Sequence, residues 1–194
     1  LFSNKLFDRT WNAYSAANAS EPVPVTAATQ VTAGTGLIGI VAGHYSKDPA
    51  QHDRGAVCPD GLEEEQVNFD IAYAVMQKLT ALGYTVDLLQ EWDPKLQGYQ
   101  AMALVSIHND TCQYLGEDYT GYKVASAIAS AIPENDSRLT NCLIDRYQKA
   151  TGMKFHYNTI TTDMTYYHNF YEINSQTPAA IIETGFLNLD RVML

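Results

Sequence analysis

The chain has 194 residues, 22 acidic against 12 basic side chains for a net charge of −10, and a hydrophobic content of 46%. That length and composition give one globular domain with a sizeable core and room for a modest extension, and no apolar run approaches a membrane span. With no basic cluster anywhere, an acidic surface repels a phosphate backbone, so nucleic acid is excluded as a partner.

The first 35 residues differ from the rest. Residues 2–14 can form a short amphipathic helix, and residues 16–35, rich in Ala, Thr, Ser, Val and Pro, read as an extended linker. We therefore divide the chain into a linker or stalk over 1–35 and a catalytic domain over 36–194. A start at Leu1 rather than methionine gives the expectation of a piece of an exported protein whose signal or anchor lies upstream.

From Leu37 the pattern is regular. The apolar run 37–43 reads as a buried strand that ends at His44. A long polar loop follows, and its length suggests a function. Asp60-Gly61-Leu62-Glu63 resembles a capping box, so a helix is expected to start there, with Val67, Ile71, Ala74, Val75, Leu79 and Leu82 as its apolar face and Gly83 as its stop. Residues 85–89 form a second strand, and 103–107 a third that delivers His108, Asn109 and Asp110 at its carboxyl end. Val124, Ala127, Ile128 and Ala131 predict a helix stopped by Pro133. Another is expected from Asp136 or Ser137 to Gly152, and a last strand, 179–182, runs into Glu183. Alternating strands and helices predict an α/β fold, a single domain with a mostly parallel twisted sheet and helices on both faces.

Open α/β sheets bind ligands at the carboxyl ends of their strands, and here three strands end in His44, His108 and Glu183. Two histidines and one carboxylate form a common catalytic zinc set, in which three protein ligands leave one position for water. The third ligand would come from Glu63, Glu64 or Glu65. Glu64 precedes the apolar Val67 and Ile71 by three and seven residues and so lies near the inward helix face, with its neighbours turned roughly 100° to either side. We select Glu64 and expect Glu63 and Glu65 to face solvent. Cys58, Cys112 and Cys142 lack the spacing of a structural zinc site, and a Cys58–Cys112 disulfide can join two loops at the same rim.

The order Ile-Gly-Ile-Val-Ala-Gly-His44, Gly61-Leu62-Glu63-Glu64-Glu65, Ser106-Ile107-His108-Asn109 and Glu183-Thr184-Gly185-Phe186-Leu187-Asn188 resembles the zinc-dependent N-acetylmuramoyl-L-alanine amidases of the AmiC/CwlV type over about residues 36–190. The resemblance implies hydrolysis of the amide between N-acetylmuramic acid and the L-alanine of the peptidoglycan stem. It also implies one Zn2+ held by His44, Glu64 and His108, Glu183 as catalytic glutamate, and a place in the bacterial cell envelope or outside the cell. Asn109 and His168 are candidate substrate-binding residues, with a structural role the alternative for Asn109 and a surface or packing role the alternative for His168.

Departures from the family pattern keep other readings open. Tyr45 and Ser46 stand where the family has glycines, an arginine before the third strand has no match, and the chain ends at Leu194 where such enzymes continue into another helix. A catalytically weakened wall-binding module of the same fold, or a zinc peptidase acting within the stem peptide, are the alternatives.

Overall fold

The computed structural model describes residues 36–194; the expected stalk and its helix lie outside the described residues. Five strands, β1 (Leu37–Ala42), β2 (Thr85–Gln90), β3 (Ala103–Asp110), β4 (Lys123–Ala125) and β5 (Ala179–Phe186), form one sheet in the order β2-β1-β3-β5-β4. All neighbours are parallel except β4, which runs antiparallel to β5. This is the α/β architecture expected, a mostly parallel sheet with its strands ending at one rim.

Alternation along the strands sorts the core onto two faces. On one face Ile40, Ala42, Ile107, Ala180 and Ile182 meet the two long helices, α1 (Glu64–Ala81) and α2 (Pro133–Thr151), through Phe69, Ile71, Val75, Leu139 and Leu143. On the other, Val41, Leu104 and Ile181 are covered by irregular chain and by two single-turn helices, α3 (Thr162–Thr165) and α4 (Asn169–Glu172). Short elements leave that face open at the strand ends, and the cleft lies there.

Three expectations need correction. The helix expected through Val124 and Ala131 is absent: Lys123–Ala125 is β4, in register with Glu183, Ile182 and Ile181 of β5, and the chain after it is irregular. Val124 packs into the core from β4, and the rest of the apparent stripe does not follow it, for Ile128 is 63% exposed. The capping box does not form either. Helix α1 begins at Glu64, with Glu63 as an N-cap that makes no side-chain capping bond. Asp60 is bound by Arg191 and Glu63 by Arg54, while an antiparallel bridge between Val57 and Glu63 keeps the chain extended up to the helix. Helix α2 starts at Pro133 rather than Asp136, because proline suits the first helical turn. Asp136 is left to accept the Ala179 N–H at 2.9 Å, fixing the start of β5. Gly152, at φ 72°, closes the helix as expected.

Candidate active site

The strand ends bring His44, His108 and Glu183 to one rim, and α1 adds Glu64 from its first turn. His44 follows β1 with φ 62°, a left-handed conformation that costs a histidine roughly 1–3 kcal/mol. His108 and Glu183 are cross-strand partners on β3 and β5, so their side chains leave the sheet side by side. A Cβ on Gly43 would overlap the His108 ring, so only glycine lets β1 pass this close.

Glu64 is the hub. Its Oε1 lies 3.3 Å from His44 Nε2 and 3.4 Å from His108 Nδ1, and the ligand atoms of the three residues all lie within 4.8 Å of one another. The Asn68 amide and the Asn109 N–H donate to Oε1 at 3.1 and 3.2 Å, and the Ala56 N–H donates to Oε2 at 2.9 Å. Burial would push the Glu64 carboxyl up, but bonds from His108 and His44 outweigh it and hold the group well below the usual carboxylate range. The histidines respond in the opposite sense. Burial disfavours the charged rings, yet Glu64 raises His44 to about 9, and Glu64 with Glu91 raises His108 well above its ordinary value.

Glu183 lies in different surroundings. Its Oε2 is shielded from solvent and has no hydrogen-bond partner among the described residues. Burial pushes its pKa up to about 7, against the attraction of His108 and of Lys123. Lys123 is its register partner on β4, buried, ion-paired to Asp110 and bonded to the Thr159 carbonyl at 3.2 Å. His44, Glu64, His108, Asp110 and Glu183 border a 370 Å³ cleft whose lining also includes Asp163, Met164 and Tyr167.

A two-histidine, one-carboxylate cluster with a protonatable glutamate beside it is equipped to hydrolyse an amide. Residues 38–193, almost all of the described chain, match the profile of the N-acetylmuramoyl-L-alanine amidases. The chain belongs to this amidase family. Its activity is therefore that of a peptidoglycan hydrolase, cleaving the bond between N-acetylmuramic acid and the L-alanine of the stem peptide.

Solved structures share the fold of this amidase. AmiC2 of Nostoc punctiforme is 23% identical with a TM-score of 0.57, the match covering 79% of this chain and 82% of that one. The catalytic domain of CwlV from Bacillus (Paenibacillus) polymyxa var. colistinus is also 23% identical with a TM-score of 0.57, over 80% and 83%. Cwp6 of Clostridium difficile has a TM-score of 0.62 at 18% identity, over 84% of this chain and 27% of its own length. No curated protein sequence matches.

The remaining residues singled out from the sequence are engaged by their neighbours. The buried Asn109 amide donates to Asn68 Oδ1 at 2.7 Å and accepts from Thr184, so it braces the hub. His168 stands beyond the cleft wall, with Nε2 2.8 Å from Glu91 and Nδ1 2.9 Å from Glu172, stacked on Trp92. Glu63 pairs with Arg54, and Glu65 turns toward His52 with its side chain only 12% exposed, so neither simply faces solvent. The sequence reading missed two acidic partners. Asp53 Oδ2 lies 2.8 Å from His44 Nδ1, and the buried Glu91 approaches His108 from the side away from Glu64. Asp53 sits in the long loop already suspected of function, whereas Glu91, one residue past β2, carries no local signal. The Cys58–Cys112 disulfide joins the loop before α1 to the loop after β3, with Cα atoms 5.2 Å apart.

Proposed function

We propose that the amidase holds one zinc ion through His44 Nε2, Glu64 and His108 Nδ1, and that Glu183 is its catalytic proton carrier. The observation that carries this reading is the convergence of those three ligand groups on one point, with Glu183 in register beside His108. The fit is chemical as well as geometric. The donor set of two imidazole nitrogens and a carboxylate oxygen is that of catalytic zinc sites, and the far nitrogen of each ring has an acidic partner, Asp53 or Glu91.

A zinc ion held there supplies the Lewis acidity that acidifies water and polarises an amide carbonyl. The protein does the rest. Glu183, with a pKa pushed up to about 7, is balanced to take a proton and to return it near neutral pH. It accepts the proton of the attacking water, whose oxygen bonds to the lactyl carbonyl carbon of N-acetylmuramic acid. As the C–N bond breaks, Glu183 delivers that proton to the departing amine of L-alanine. The products are a muramic carboxylate and a stem peptide with a free amino end.

The substrate lies in the bacterial envelope, so we place the protein outside the cytoplasm. The Cys58–Cys112 disulfide supports this, since such bonds persist in oxidising compartments. No helix among the described residues is long and apolar enough to cross a membrane.

Digestion of purified peptidoglycan with metal-stripped and zinc-reconstituted protein, followed by mass spectrometry, tests the proposal. Zinc-dependent release of intact stem peptides that begin with L-alanine is expected. Shortened stems would indicate a peptidase, and zinc binding without release would leave a wall-binding module.

A further inference from the structure

We propose that Glu91 is a positioning residue whose single carboxylate holds both histidines of the metal site; this rests on the zinc reading above. Glu91 follows β2 directly and is 6% exposed. Its Oε2 accepts the His44 N–H at 2.9 Å and lies 3.4 Å from His108 Nε2. Its Oε1 accepts the Tyr167 hydroxyl at 2.7 Å and His168 Nε2–H at 2.8 Å. The Glu91 N–H donates to the Tyr45 carbonyl at 3.0 Å, so backbone and side chain are both tied to the turn that carries His44.

The arrangement fixes which nitrogen of each ring faces Glu64. Tyr167 gives its hydrogen to Glu91, which frees its oxygen, 3.2 Å from His108 Nε2, to accept. His108 Nε2 thus has two acceptors beside it and keeps its hydrogen, so Nδ1, which faces Glu64, is the nitrogen whose lone pair is free to serve a metal. His44 is turned the other way round. Asp53 takes its Nδ1–H, and Nε2 faces Glu64. Glu91, together with the Tyr167 hydroxyl it holds, does for the His108 ring what Asp53 does for the His44 ring, and it does one thing more. By accepting the His44 N–H it anchors a backbone that stands at φ 62°, where histidine rarely rests.

A role in stability alone accounts poorly for this residue. Replacing a buried ion pair with apolar side chains of similar volume is often neutral or stabilising. Here a carboxylate has been taken out of water and surrounded by donors, two of which belong to the metal site. Trp92 stacked on His168 at 3.7 Å shields the assembly from outside.

The test compares zinc affinity, by competition with a chromophoric chelator, and the visible spectrum of the Co2+-loaded protein, for wild type, Glu91→Gln and Glu172→Gln. Glu91→Gln should weaken zinc binding about 10–100-fold, as losing an outer partner of a metal ligand does, shift the Co2+ bands, and lower kcat more than it raises KM. Glu172→Gln, which also removes a bond to His168, should match wild type in both metal readouts. Wild-type zinc affinity and an unshifted Co2+ spectrum in Glu91→Gln would overturn the inference, even if that variant melts lower. If Glu91→Gln does not fold, Tyr167→Phe carries the test: several-fold weaker zinc binding with shifted Co2+ bands supports the inference, and wild-type values overturn it. Absence of zinc binding by the wild type overturns the metal reading, and this inference with it.

Discussion

Two carboxylates face the same cleft and have been given opposite environments. Glu64, from the first turn of α1, is surrounded by donors on both oxygens and is held ionised. Glu183, from β5, has one oxygen with no partner among the described residues and a pKa raised to about 7. Divergence of this kind is what the proposed roles require, a permanent ligand charge on Glu64 and a proton that moves on Glu183. The difference is one of hydrogen-bond supply rather than depth, since both groups are desolvated.

The largest test of that division is Glu183→Gln. Turnover should fall roughly 10²–10⁴-fold, the range for losing a general base, while calorimetric zinc affinity stays at the wild-type value. Near-normal turnover would remove Glu183 from the chemistry. Glu64→Ala is the converse: zinc affinity should drop by more than the roughly 10–100-fold cost of losing an outer partner, with Glu63→Ala and Glu65→Ala unchanged in the same titration. If Glu65→Ala behaved like Glu64→Ala, the division would be wrongly drawn.

The disulfide sits on the Glu64 side of the cleft. Replacing Cys58 and Cys112 together by alanine opens a crosslink spanning 54 residues. The chain-entropy relation puts its contribution at about 4 kcal/mol, to be read from urea unfolding, and an unchanged midpoint would show that the loops hold without it. The smallest effect is the pH dependence of the metal-free site. His44, raised to about 9, is protonated at neutral pH in the metal-free fold and must lose that proton to bind zinc. Apparent zinc affinity should therefore strengthen by at least about tenfold per pH unit from neutral pH towards 9, since the raised His108 has a proton to lose as well. The same sign applies to stability. A raised folded pKa stabilises fully below the unfolded value of 6.5 and is lost as pH rises through about 9, so the metal-free protein should melt lower at pH 9 than at pH 6. A flat profile in either experiment would mean that Glu64 does not hold His44 charged.

The parts legible in the sequence are those with a local period or an abrupt polar stop. β1, β3 and β5 announce themselves as apolar runs ending at His44, at His108 and at Glu183, and the α1 face picks out Glu64 from its neighbours. What escaped was set by tertiary partners. β4 is three residues long and exists because the edge of β5 is there to pair with it, while its flanking alanines imitate a helical stripe. Asp60 and Glu63 make a sound capping pair on paper, yet Arg191 and Arg54 take their carboxylates first. Glu91 is recognisable only once the fold lays Tyr167 and His168 over it from 76 and 77 residues away.

The strand order bears on how the enzyme comes into being. β5 is last among the strands in the chain yet lies inside the sheet, between β3 and β4. A polypeptide interrupted between Ala125 and Ala179 already contains His44, Glu64 and His108 but lacks Glu183, and its β4 has no strand to lie against. Closing the sheet and supplying Glu183, the base proposed above, are a single event, so an unfinished or clipped chain would carry the proposed ligand set without the base needed to cut the wall.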